Sequence, residues 1–118
     1  MDLKTTYKAI KISSGNSFVH ETESQVILNG SYNINFTMDL VAKDMRLFDK
    51  LSKKSDAPLE ISPIVLNIFK EAQKKYGPRS WSSKAVKRLE DVSNINLRAE
   101  GFPSELTDYK LEEKGYEI

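Results

Sequence analysis

The apolar positions of this chain recur with a period near that of an α-helix, and clusters of polar and turn-forming residues cut the pattern into helix-length pieces. The central piece is the stretch Phe36 to Leu51, FTMDLVAKDMRLFDKL. Phe36, Leu40, Val41, Leu47, Phe48 and Leu51 fall on one face of a helix there, with Asn35 as its expected cap. Upstream, Asp2 caps a predicted first helix with a narrow stripe of Leu3, Tyr7 and Ile10. Ser13-Ser14-Gly15 ends it, with Gly15 suited to a left-handed cap. Ser17 caps a second helix, with Glu21 in its first turn and Phe18, Val26 and Leu28 following, and Asn29-Gly30-Ser31 stops it.

Downstream, the polar segment Ser52 to Asp56 and Pro58 close the central helix. Ser62-Pro63 is a well-formed helix start, because proline at the first helical position loses no needed N–H. Ile64, Val65, Ile68, Phe69, Ala72 and Tyr76 predict a wide buried face, and Gly77-Pro78 ends that helix. A last helix is predicted from Ser80 or Ser82 through Asn94, with Ala85, Val86, Leu89 and Val92 turned inward and Trp81 as a hydrophobic staple. No alternation long enough for a strand occurs. The expected fold is all-α: a bundle of about five helices over residues 1–95. Residues 96–118, including the charged run Asp108 to Lys114, are expected to form an extended tail that packs on a partner or stays mobile.

Composition adds exclusions. A chain of 118 residues supports one modest core. A formal net charge of +1, with cations spread along the chain, argues against bulk nucleic acid as a partner. The absence of cysteine removes disulfide and thiol chemistry and fits a reducing cytoplasm. No apolar run approaches the roughly 20 residues of a membrane span. His20, the single histidine, cannot seed a zinc site without further ligands and is expected on a helix surface. No metal site is expected.

Lys43 and Asp44 carry the candidate chemistry. Helical spacing places both within the apolar stripe, where adjacent charges are costly to bury unless paired or given a ligand. Spacing alone leaves two readings open. In one, the lysine stem snorkels and Asp44 pairs locally; in the other, the two residues face a ligand. The backbone N–H groups of Ser13-Ser14-Gly15-Asn16-Ser17 could likewise approach an anion, although simple helix punctuation explains that run as well.

At these residues a family resemblance becomes specific. Phe36 followed by Lys43-Asp44-Met45-Arg46-Leu47 resembles the C-terminal signature of the β-hydroxyacid dehydrogenases, which include the 3-hydroxyisobutyrate dehydrogenases. Upstream Ser13-Ser14-Gly15-x-Ser17 is similar to the S-S-G-x-S of that family. Downstream Ala57-Pro58-Leu59 and Ser62-Pro63, leading to Tyr76-Gly77, are similar to its helix breaker, helix and glycine stop. The similarity covers roughly residues 2 to 95. The related pattern often runs K-D-L-G-x-A-x-D; Arg46 and Phe48 resemble bulky or basic variants of it, Lys50 stands at its last aspartate, and Trp81 stands near where an aspartate is common.

The resemblance implies a helical domain like the C-terminal domain of 6-phosphogluconate dehydrogenase. It would form one wall of the cleft where a hydride passes between NAD or NADP and a small hydroxyacid or semialdehyde. Lys43 would reach the cofactor, Asp44 would shape the same site, and Phe36 would wall it from water. The G-x-G-x-x-G turn and the helix carrying the family's catalytic lysine are missing from these residues. The implied partners are therefore a Rossmann domain and, by family habit, further copies of the chain. No catalytic residue is expected here, and the chain alone is expected to be inactive and not to bind NAD or NADP tightly. A helical dimerisation or interaction module without catalytic history is the alternative.

Overall fold

A computed structural model describes residues 1–106 and 115; the charged run expected in the tail, Asp108 to Lys114, lies outside the described residues. Five helices follow one another: α1 Leu3–Lys11, α2 Phe18–Asn29, α3 Met38–Ser55, α4 Ser62–Tyr76 and α5 Lys87–Ser93, with a 3₁₀ turn at Ser82–Val86 before α5. The only β pairing among the described residues is an isolated antiparallel bridge between Thr37 and Trp81. The fold is all-α.

Two helix pairs, α1 with α2 and α3 with α4, are joined through the 3₁₀ turn, which touches α2, α3, α4 and α5. Ser82 and Ser83 are buried in that hub, and Ser83 donates from its hydroxyl to the Tyr32 carbonyl at 2.7 Å. The apolar core is small: Val26 and Leu28 of α2, Met38 and Ala42 of α3, Leu66 and Ala72 of α4, and Tyr32 between α2 and α3.

Several local expectations are corrected. α1 ends at Ile12 with an ordinary negative φ, and Gly15 is not left-handed. Gly30, at φ 91°, is the left-handed cap of α2. Asn35 does not cap α3: it takes φ 55° in the loop before it, Thr37 holds the cap position, and Phe36 lies outside the helix. On α4, Val65, Ile68, Phe69, Ala72 and Tyr76 are buried or half-buried as expected, but Ile64 is exposed and Leu66 is buried as well. The last helix is broken into the 3₁₀ turn and a short α5. Leu89 and Val92 point to solvent, while Glu90 is buried.

Glu90 is held inside by a polar knot. It accepts from the Tyr32 hydroxyl, from the Leu97 backbone N–H at 2.8 Å and from the Arg98 guanidinium at 2.9 Å. Burial pushes its carboxyl up, and these three donors together bring it below its ordinary value. The same knot lays residues 95–102 along α2. Ala99 N–H donates to the Leu28 carbonyl at 3.0 Å, and Asn29 donates to the Phe102 carbonyl at 3.0 Å. Phe102 meets the Tyr7 ring edge-on at 5.2 Å.

Candidate functional site

The direction of α3 is set at its first turn. No side chain caps that end. Carbonyls of the segment after α4 accept instead: Met38 N–H reaches Ser80 O at 2.9 Å and Asp39 N–H reaches Pro78 O at 3.0 Å. The Ser82 N–H returns a bond to the Phe36 carbonyl at 2.8 Å, and the Gln73 amide donates to the Met38 carbonyl at 3.1 Å. Arg79 pairs with Asp39 at 3.2 Å. The Thr37 hydroxyl donates to the same carboxylate. Thr37 and then Arg79 hold the Asp39 carboxyl below its ordinary value. These partners occupy donors that a helix N-terminus otherwise offers to an anion.

Met38 and Ala42 are fully buried, which fixes the opposite side of α3 toward solvent. Lys43 and Asp44 stand on the open side and pair with each other at 3.0 Å, their side chains 55% and 44% exposed. They are therefore not sealed inside a packed stripe. Leu47, Phe48 and Leu51 beside them are 55%, 56% and 59% exposed, although the apolar pattern marks them for a core. An exposed ion pair contributes little to folding. An exposed cluster of large apolar side chains likewise does nothing for the monomer and is the usual mark of a contact surface.

Phe36 is not brought onto this helical face. It sits in the loop before α3, partly exposed, with its carbonyl tied to Ser82. The Ser13–Ser17 run is helix punctuation: the Ser17 hydroxyl accepts from the His20 N–H at 3.0 Å, and the Asn16 amide donates to Glu21 at 2.7 Å.

His20 is half-buried rather than on an open helix surface. Its ring lies 4.9 Å from that of Tyr7, with Nε2 3.0 Å from the Tyr7 carbonyl and Nδ1 3.1 Å from the Ser24 hydroxyl. Both ring nitrogens are thus engaged, beside a concavity of about 320 Å³ lined mainly by apolar residues of α1 and α2. Trp81 stands immediately before the 3₁₀ turn, and its backbone bridges to Thr37 and so helps to aim α3.

The residue that spacing missed is Glu90. The apolar spacing turns Ala85, Val86, Leu89 and Val92 inward instead, and nothing local distinguishes Glu90 from a solvated glutamate. Among the described residues no group of three histidine, cysteine, aspartate or glutamate side chains could hold a metal ion, and no helix is long and apolar enough to cross a membrane.

Compared with known families, residues 1–89 match the one described as the NAD-binding of NADP-dependent 3-hydroxyisobutyrate dehydrogenase. The match contains all of α3 and the loop that aims it, and ends one residue before Glu90. No curated protein matches the chain.

Proposed function

Because the chain belongs to the family of NAD-binding domains of NADP-dependent 3-hydroxyisobutyrate dehydrogenase, we propose that it forms one wall of a dehydrogenase cleft. The helical domain is taken as residues 1–95. A second domain of the Rossmann type holds the dinucleotide and supplies the general acid/base group. The substrate is a small hydroxyacid or its semialdehyde, and the assembled site is dimeric or larger. When bound, NAD or NADP accepts or returns the hydride.

The observation that carries this reading is the Lys43–Asp44 pair, held on the open side of α3 among solvent-exposed Leu47, Phe48 and Leu51. A compact ammonium on a rigid helix suits a ribose or phosphate edge as a point charge. Asp44 keeps that ammonium in place before the ligand arrives. The neighbouring apolar side chains exclude water once the second wall closes, and Phe36, in the loop before α3 and off that face, would wall the cleft separately. The residues present therefore fit the cofactor they are proposed to meet.

The test is a titration of the isotopically labelled chain with NADP⁺ followed by amide NMR. Shifts are expected at residues 40–51 and should vanish in Lys43→Met. Shifts confined to other helices would overturn the assignment. The chain alone, given nicotinamide cofactor and a panel of hydroxyacids, should show no turnover above background.

The exposed leucines also favour the second reading, a helical self-association module. Under it, Leu47→Glu with Leu51→Glu converts a dimer to a monomer in light scattering, and NADP⁺ leaves α3 untouched.

A further inference from the structure

Not every cation on α3 has a carboxylate. Lys43 pairs with Asp44, and Lys53 pairs with Asp49 at 2.8 Å, while Asp39 is taken by Arg79. Arg46 and Lys50 are exposed and have no carboxylate partner among the described residues. Counted at about 100° and 1.5 Å per residue, they lie about 60° and 20° round the helix from Lys43, and about 4.5 Å and 10.5 Å along it. All three therefore stand on one side of α3, with exposed Leu47 among them. Leu47 is continuous with exposed Phe48 and Leu51, so these cations border an apolar patch rather than a wholly polar face.

We propose that Arg46 and Lys50 form a phosphate subsite beside Lys43, one to two helical turns farther along α3. The arginine fork takes two phosphate oxygens in plane, and the lysine adds a mobile point charge. The class of ligand is a phosphate ester or pyrophosphate. Two sources carry that chemistry: the phosphates of the dinucleotide, or a phosphorylated hydroxyacid substrate. The inference rests on the cleft-wall reading for the source of its ligand, but the subsite itself stands on the unpaired cations.

The experiment uses the full chain and its Arg46→Gln/Lys50→Gln double variant, both titrated by amide NMR with inorganic pyrophosphate, NADP⁺, nicotinamide mononucleotide and 3-phosphoglycerate. Both substitutions are on the surface, so the melting temperature should hold and the variant should fold. In the unaltered chain, pyrophosphate should shift residues 46–51, with an affinity that falls as salt rises. The double variant should bind it about tenfold more weakly or not at all. Binding of NADP⁺ and the mononucleotide in preference to 3-phosphoglycerate places the cofactor on the subsite, and the reverse order places a phosphorylated substrate there.

If no phosphate compound shifts residues 46–51, or if the double variant binds all of them unchanged, the subsite is overturned. NADP⁺ shifts that survive the double variant and vanish in Lys43→Met would sink the subsite and leave the cleft wall intact. Pyrophosphate shifts without NADP⁺ shifts would do the opposite.

Discussion

Two charged clusters of this molecule make opposite use of the same chemistry. On α3, Lys43 and Asp44 form an ion pair that is half in water and joins neighbours on one helix. At the other end of the chain, the Glu90 side chain is 1% exposed and ties three separated segments together through Tyr32, Leu97 and Arg98. A surface pair is screened and gains little, whereas removing one partner of a buried pair leaves polar groups stranded without water. The first cluster is therefore free to be used by a ligand, and the second is committed to the fold. The family match includes the first and stops just short of the second.

Removing Glu90 should break this contrast most severely. Glu90→Ala strands the Tyr32 hydroxyl and the Leu97 N–H and frees Arg98, and should cost about 2–4 kcal/mol. For a domain of this size the melting temperature should fall by about 10 °C or more. A shift within about 2 °C in calorimetry would mean that water replaces the carboxylate at little cost and that the knot is not structural.

Gly30→Ala attacks the same knot from the other side. Gly30 has φ 91°, and a Cβ there would lie 2.5 Å from Arg98 Nε. The backbone penalty alone is about 1 kcal/mol, and displacement of Arg98 from Glu90 adds to it. The two parts separate in a double-mutant cycle with Arg98→Ala, judged by denaturant midpoints. In that background the glycine substitution should retain only the backbone part. Full additivity would mean that Arg98 moves aside without cost.

Protonation gives a milder probe. The folded Glu90 carboxyl lies below its ordinary value of 4.5, so the folded state binds its proton more weakly than the unfolded chain. The sign follows: its contribution is fully present above the unfolded value and is lost as pH falls through the folded value. Stability should be flat from about pH 6 to 8 with respect to this group and should decline below about pH 4.5. Glu90→Gln should flatten that decline, and an unaltered acid limb would assign it to other carboxylates such as Asp39, which is also lowered.

How much of this was legible in the sequence differs between the clusters. Period and punctuation set out the helices because caps and breakers are local: Asp2, Ser17, Gly30, the Ser62-Pro63 start and Gly77-Pro78 act within a turn of where they stand. Lys43 and Asp44 were visible because a charge pair interrupting an apolar stripe is a local anomaly. Their exposure was not visible, since a stripe reads alike whether its other wall is this chain or something else. Glu90 was hidden for a related reason: its partners Tyr32 and Arg98 are 58 and 8 residues away, and no spacing within α5 reports them. The start of α3 is not legible locally, because the carbonyls that satisfy Met38 and Asp39 come from residues 80 and 78, not from a neighbouring cap.

The smallest expected effect on stability is also the one that separates the clusters most sharply. Lys43→Met keeps the length of the side chain and its packing against α3 while removing an ammonium already half in water. Asp44 then loses a partner it shares with solvent, so the change in unfolding free energy should stay within about 0.5 kcal/mol. The same substitution should abolish the NADP⁺-induced shifts at residues 40–51. Glu90→Ala read at a temperature where it is still folded should preserve those shifts, because the first turn of α3 is held by Ser80, Pro78 and Gln73 rather than by the knot. A loss of stability near 2 kcal/mol in Lys43→Met, well above the range of exposed pairs, would show that the α3 pair is structural after all. The division between a ligand face and a folding knot would then have to be abandoned.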